Sequence, residues 1–140
     1  MRYQNKHWGF KLDFPAGWFE PGFFKRLFSS GRYAQQDVYP EFYGPEGASI
    51  KIMSGPISPV PSTEQQINLK TIAEKHGHDV IETGTIKVGG ISHATMTCRI
   101  PDAGVLKNYS LIFGRTEHFI TARGDWQECD SIIKTFKVAQ

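Results

Sequence analysis

The residues of this chain that could do chemistry are its five histidines, two cysteines and scattered carboxylates. The tightest grouping is His76-Gly77-His78, followed by Asp79. A zinc site needs three or four convergent ligands, and this group stands where a helix is expected to end, so its two rings should diverge. His93 and His118 fall on expected strands, where a partly buried imidazole with a backbone partner fits the pattern better than a ligand does. Cys98 and Cys129 lie far apart among apolar residues, without Cys-x-x-Cys or Cys/His spacing, and read as buried thiols. No Gly-x-Ser-x-Gly elbow, phosphate loop or Gly-x-Gly-x-x-Gly turn is present, and hairpin geometry accounts for Gly84, Gly89 and Gly90. Asp13, Glu41, Glu82 and Glu117 are not arranged to push two carboxyl pKa values apart. The reading is therefore of no catalytic residue, no metal site and no cofactor, with binding favoured over catalysis.

The positioning elements begin with the stretch Trp8–Phe19. Trp8, Phe10, Leu12 and Phe14 share one parity, Gly9, Lys11 and Asp13 the other, so a strand here buries one aromatic face. Pro15 ends it and Gly17 permits a corner, after which Trp18 and Phe19 should re-enter the core. Next, Pro21–Tyr33 interleaves Phe23, Phe24, Leu27 and Phe28 with Lys25, Arg26 and Arg32. Two readings compete for it. One is a membrane-surface or partner patch; the other, which the shortness of the motif favours, is core packing with solvated cations. Tyr39, Phe42 and Tyr43 follow in a turn-rich stretch, where a hairpin should join Glu41–Tyr43 to Ala48–Met53.

Gly55–Pro61 carries three prolines and reads as a stiff connector. Ser62 with Gln65 forms a capping-box pattern at the start of a helix over Thr63–His76, whose buried stripe should hold Leu69, Ile72, Ala73 and His76, with Ile67 beside it and Gly77 as the stop. Four antiparallel strands should then run from Asp79 to Ala122. To set Val80, Glu82, Gly84 and Ile86 against Ala94, Met96, Cys98 and Ile100, the first hairpin needs a three-residue turn or a bulge near Gly89-Gly90. The second turns at Gly114-Arg115 and pairs Leu111 with His118 and Tyr109 with Ile120, leaving Ile112 and Phe119 on the other face, so both faces of the sheet require cover. Asp125, with Glu128, caps a second helix through Trp126, Cys129, Ile132 and Ile133, and Phe136 and Val138 close the chain as a short strand.

With 140 residues, the chain suits one domain, 1–140. Its 16 Lys and Arg against 14 Asp and Glu give a net charge of +2, too small for a nucleic-acid partner. No apolar run reaches the length of a membrane span or a signal peptide, so the chain as written reads as cytoplasmic, and as exported if a signal has been removed.

The segment GFKLDFPAGW, residues 9–18, resembles the Gly-Phe-Ser-[Ile/Leu]-x-[Tyr/Phe]-Pro-x-Gly-Trp strand of the PsbP/Mog1-like superfamily, which includes DcrB-like bacterial proteins. The order of elements along nearly the whole chain is similar too, although the export signal or lipobox of many bacterial members is missing. The resemblance implies an α+β fold, a mostly antiparallel sheet of about six strands with helices on both faces, an α/β/α sandwich. Members bind a photosystem or a small GTPase, or act as secretion chaperones, and no partner-contacting motif of theirs is found here.

Two functional expectations result. The first is a non-catalytic binding, assembly or chaperone-type accessory domain, monomer or homodimer, that meets a protein partner through Phe24, Arg26, Arg32, Tyr39, Phe42 and Tyr43, because these segments hold more aromatic residues than a connector requires. The alternative is a small-molecule-binding protein or hydrolase with a pocket between sheet and loops, using His118, His93 or Tyr109 as polar groups.

Overall fold

The computed structural model describes residues 1–21 and 39–138. Two antiparallel sheets form. Strands β1 (Arg2–Asn5), β2 (Phe10–Asp13) and β9 (Lys137–Val138) make a small sheet in the order β1-β2-β9. The larger one has six strands, ordered β3-β4-β8-β7-β6-β5, from β3 (Glu41–Tyr43), β4 (Ser49–Pro56), β5 (Asp79–Val88), β6 (Ile91–Ile100), β7 (Gly104–Phe113) and β8 (Thr116–Arg123). Helix α1 (Ser62–Lys75) connects β4 to β5, and α2 (Trp126–Ile133) follows β8. A second, three-stranded sheet is the main departure from the single sheet expected.

The opening stretch buries Phe10, Leu12, Phe14 and Trp18 as its parity predicts. Two details differ. Trp8 precedes β2 and lies in the turn from β1, where the Asn5 side chain accepts from the Trp8 amide at 2.7 Å and Gly9 takes a positive φ of 70°. Phe19 does not re-enter the core but stays 55% exposed, bridged to Tyr43 on β3. Trp18 anchors the corner: its Nε1 donates to Glu128 at 2.5 Å, and its ring lies so close over Gly44 that a Cβ there would clash with it. Glu128 is thus committed to Trp18, while Asp125 caps α2 by accepting from the Gln127 and Glu128 amides.

Gly55 and Pro56, expected in a connector, finish β4, which pairs with β8 as far as Pro56 opposite Thr116. Proline is tolerated because β3 pairs with β4 only over Ser49–Lys51, so the far end of β4 has a single sheet neighbour there. The hairpin of β5 and β6 turns at Gly89-Gly90 with Val88 opposite Ile91, a two-residue loop with both φ values positive. The required irregularity sits at Ile81 instead: Thr83 and Thr85 face Met96 and Ala94, and only past the bulge does Val80 meet Cys98. The β7–β8 register is as expected, Leu111 opposite His118 and Tyr109 opposite Ile120.

Alternate residues of the large sheet supply two cores. One parity, including Tyr109, Leu111, Ile120 and Ala122, packs with Phe10, Leu12, Phe136 and the Cys129, Ile132 and Ile133 stripe of α2. The other, with Met96, Cys98 and Leu106, packs with Leu69 and Ala73 of α1, and Phe119 joins its margin. Both cysteines are buried and free. No described helix is long and apolar enough to cross a membrane.

Candidate functional site

Helix α1 runs over β5 and β6 and leaves a cleft beside it where the sheet continues into β7 and β8. Side-chain alternation determines what lines this cleft. Every second residue of the paired strands points to α1, placing Met96 and Ile100 of β6, Leu106, Asn108 and Ser110 of β7, and Glu117, Phe119 and Thr121 of β8 on that face. The result is an open cleft of about 790 Å³, floored by Met96, Ile100, Leu106 and Phe119 and walled by Leu69, Ile72 and Ala73 of α1. That volume lies within the roughly 300–1,000 Å³ usual for small-ligand sites.

The helix itself departs from expectation in a way that shapes the site. Ser62 makes no capping hydrogen bond, and Gln65, read as its capping partner, is buried. Gln65 lies on the same helical face as Leu69 and Ala73, so its amide enters the cleft wall. Its Nε2 donates to Ser110 Oγ at 3.0 Å and to Glu117 Oε2 at 3.0 Å, its Oε1 accepts from Asn68 at 3.1 Å, and Ser110 donates to the same carboxylate oxygen at 2.5 Å. Ile72 and Ile67, expected on or beside the buried stripe, are 54% and 66% exposed, and Ile72 forms part of the cleft wall. His76 caps the helix end, its Nδ1 donating to Ile72 O at 2.9 Å, with its ring centroid 6.0 Å from that of His78. Gly77, at φ 75°, provides the left-handed stop.

On the cleft floor, Asn108 is only 7% exposed. Its Oδ1 accepts from Thr121 Oγ1 at 3.2 Å, while its Nδ2 has no hydrogen-bond partner among the described residues. Glu117 forms no ion pair among them, and no lysine or arginine lines the cleft. Gln65, Asn108 and Glu117 had not stood out in the sequence as one site. A signal was present in each strand and helix: a polar residue at a position whose same-face neighbours are apolar.

The residues expected to meet a partner are divided by the structure. Phe24, Arg26 and Arg32 lie outside the described residues. Tyr39 is 55% exposed and Tyr43 half-buried, its hydroxyl donating to Glu41 and its ring centroid 6.2 Å from that of Phe19. The bond to Glu41 raises the Tyr43 pKa. Phe42 is a correction: its alternation opposite to Tyr43 turns it fully inward, against Tyr3 and Phe14 at centroid distances of 4.8 and 4.5 Å. It supports the core beneath the aromatic edge and cannot itself touch a partner.

The polar groups of the alternative pocket also prove internal. His118 is buried, its Nδ1 pairs with Ser54 Oγ at 2.7 Å, and it packs against Phe10 and Phe136. Burial lowers its pKa to about 4. His93 accepts from the Ile112 amide at 3.1 Å through Nδ1 and pairs with Val88 O through Nε2 at 3.3 Å; burial lowers its pKa, against the opposing effect of the Val88 carbonyl. The Tyr109 hydroxyl donates to Asp130, whose carboxylate also accepts from Lys107 at 2.9 Å. Burial first and the Asp130 bond second push the tyrosine pKa up. Burial likewise pushes the Cys129 thiol to about 11 and raises that of Cys98, so neither favours the reactive thiolate. The Tyr109 and Lys107 bonds to Asp130 tie β7 to α2, while His118 joins β8 to β4 and His93 joins β6 to β5 and β7. His93 lines a smaller cavity of about 290 Å³ beside Pro59 and Val60. Among the described residues no three His, Cys, Asp or Glu side chains come together as metal ligands.

No protein-family profile and no curated protein matches the chain. Solved structures do. The chain is similar to the cyanobacterial PsbP protein CyanoP of Synechocystis, with 14% identity, a TM-score of 0.61, and 99% of this chain and 91% of that one covered. It is similar also to the Ran-binding protein Mog1p of Saccharomyces cerevisiae, with 10% identity, a TM-score of 0.65, and 100% and 95% covered. At these identities the likeness establishes a PsbP/Mog1-like fold.

Proposed function

We propose that the chain is a non-catalytic binding domain of the accessory or assembly type, and that its partner is a protein met at the β3 edge of the large sheet. One observation carries this reading: Phe19, 55% exposed, is bridged to the half-buried Tyr43 on β3 with ring centroids 6.2 Å apart, and Tyr39, equally exposed, enters the same strand two residues before its start, which brings exposed aromatic area to this edge. Aromatic residues are enriched where interfaces concentrate their energy, because a large rigid ring buries much area for little lost side-chain freedom. Phe24, Arg26 and Arg32, close in sequence to this edge, belong to the same reading, with the arginines recognising acidic groups on the partner. Residues 1–140 act in this reading as one domain of three layers, with α1 and α2 on opposite faces of the large sheet. Mog1p, described as a Ran-binding protein, offers a precedent for protein recognition on this fold and does not identify the partner.

The test places a photo-crosslinking amino acid at Tyr39, and in parallel at exposed Lys137 on the small sheet. A partner crosslinked from 39 but not from 137, and lost when Phe19 and Tyr43 become alanine, is the expected result. A partner captured equally by wild type and by the Phe19→Ala/Tyr43→Ala variant contradicts the surface.

A further inference from the structure

We propose that the cleft beside α1 is a separate small-molecule site that takes an elongated cationic amphiphile: an apolar body carrying a protonated amine at one end and a hydrogen-bond acceptor farther along. The site shares no residue with the aromatic edge, so the two stand or fall apart.

Three features determine this ligand class. The floor of Met96, Ile100, Leu106 and Phe119 and the wall of Leu69 and Ile72 give the cleft an apolar lining, exposed mainly at Ile72, that an apolar body of a ligand would cover. At one end stands the Glu117 carboxylate. Its donors, the Gln65 amide and the Ser110 hydroxyl, are neutral, so they orient the group without cancelling its charge. No lysine or arginine lines the cleft among the described residues, and its two histidines, His76 and His78, stand at the C-terminal end of α1 away from Gln65 and Glu117, so at the Glu117 end an amine finds an attractive field and a carboxylate a repulsive one. Farther along is the Asn108 amide, buried in the floor with its Nδ2 unpartnered among the described residues. That donor is open to the cleft and no protein group claims it, so a ligand oxygen placed against it takes the bond that water otherwise makes.

The spacing sets the length. Asn108 is opposite Thr121, and Glu117 precedes Thr121 by four residues on β8, a separation of roughly 13 Å at the rise of a strand. Phe119 projects between them on the same face, so the middle of the ligand must be apolar. A compact polar metabolite would reach one group only.

The experiment uses the full chain with three probes that share a body and differ in head: phenylbutylamine, phenylbutyramide and phenylbutyrate, together with the para-methoxy derivative of the amine. Binding is read by isothermal titration and by the movement of Met96 and Ile100 methyl resonances. The amine should bind best and the acid worst, and the methoxy oxygen should strengthen binding. Glu117→Gln, which keeps the hydrogen bonds and removes the charge, should weaken the amine about tenfold and level the three heads. Asn108→Leu should erase the methoxy gain. Ile100→Trp, or Ile72→Trp on the exposed wall if the first fails to fold, should weaken all four. Saturable binding absent for every probe, an acid that binds as tightly as the amine, or amine binding unchanged in Glu117→Gln and in the tryptophan variant would each overturn the proposal.

Discussion

Single residues in this protein show how burial, more than residue type, decides chemical role. His118 illustrates it: an imidazole that the sequence offers as a polar group in a pocket is enclosed between Phe10 and Phe136, with one bond to Ser54. Its pKa falls from the ordinary 6.5 to about 4 because the interior penalises the charged ring. The sign of the consequence is definite. Between those values the unfolded chain binds a proton that the folded chain refuses, so the histidine's contribution is fully present above about pH 6.5 and is lost as the pH falls toward 4. His93, lowered for the same reason, adds in the same direction. The denaturant midpoint should therefore drop as buffers are taken from pH 7 to 4, with His118 accounting for on the order of 3 kcal/mol at full titration. His118→Gln, though less stable at pH 7, should show a shallower slope. A slope unchanged in that variant would place the proton elsewhere.

Individual elements were legible to different degrees, and the differences have physical causes. The β7–β8 hairpin could be read because a two-residue turn at Gly114-Arg115 and a shared apolar parity both fix the same register. The β5–β6 hairpin was harder: the sequence demands a register change but leaves its position free, and the chain places it at Ile81 near the strand start, not at the glycine pair. The β1 strand was missed because its alternation of Tyr3 and Asn5 spans only four residues and gains meaning once β2 is beside it. In the candidate site, Glu117 was visible only as one of several scattered carboxylates, since the approach of Gln65 and Ser110 depends on how α1 docks. Capping offers a direct check at this scale. Asp125 holds two amides of α2 whereas Ser62 holds none of α1. Asp125→Ala should cost about 1 kcal/mol in urea unfolding, and Ser62→Ala a few tenths at most. Equal losses would mean that Ser62 caps α1 after all.

Across the whole molecule, two cores support the two surfaces proposed as sites. The opening aromatic stretch, with Trp18 over Gly44 and bonded to Glu128, joins the small sheet, the corner and α2 into one packed unit. That unit holds up the β3 edge from beneath through Phe42, while the second core beneath α1 shapes the cleft. The fold was identifiable from the opening motif because its residues serve packing, and packing recurs wherever the fold does. The edge proposed as a partner surface was legible only in part: Tyr39 and Tyr43 stood out as aromatic residues beyond what a connector requires, whereas Phe19 was expected in the core. If the edge is the protein-binding surface, its energy should be concentrated in those rings and be independent of the cleft. The most direct measurement is the affinity of the crosslinked partner, once purified, for wild type, for Phe19→Ala/Tyr39→Ala and for Glu117→Gln. Loss of about tenfold or more in the aromatic variant, with Glu117→Gln indistinguishable from wild type, is the expected result; undiminished affinity in the aromatic variant would contradict it.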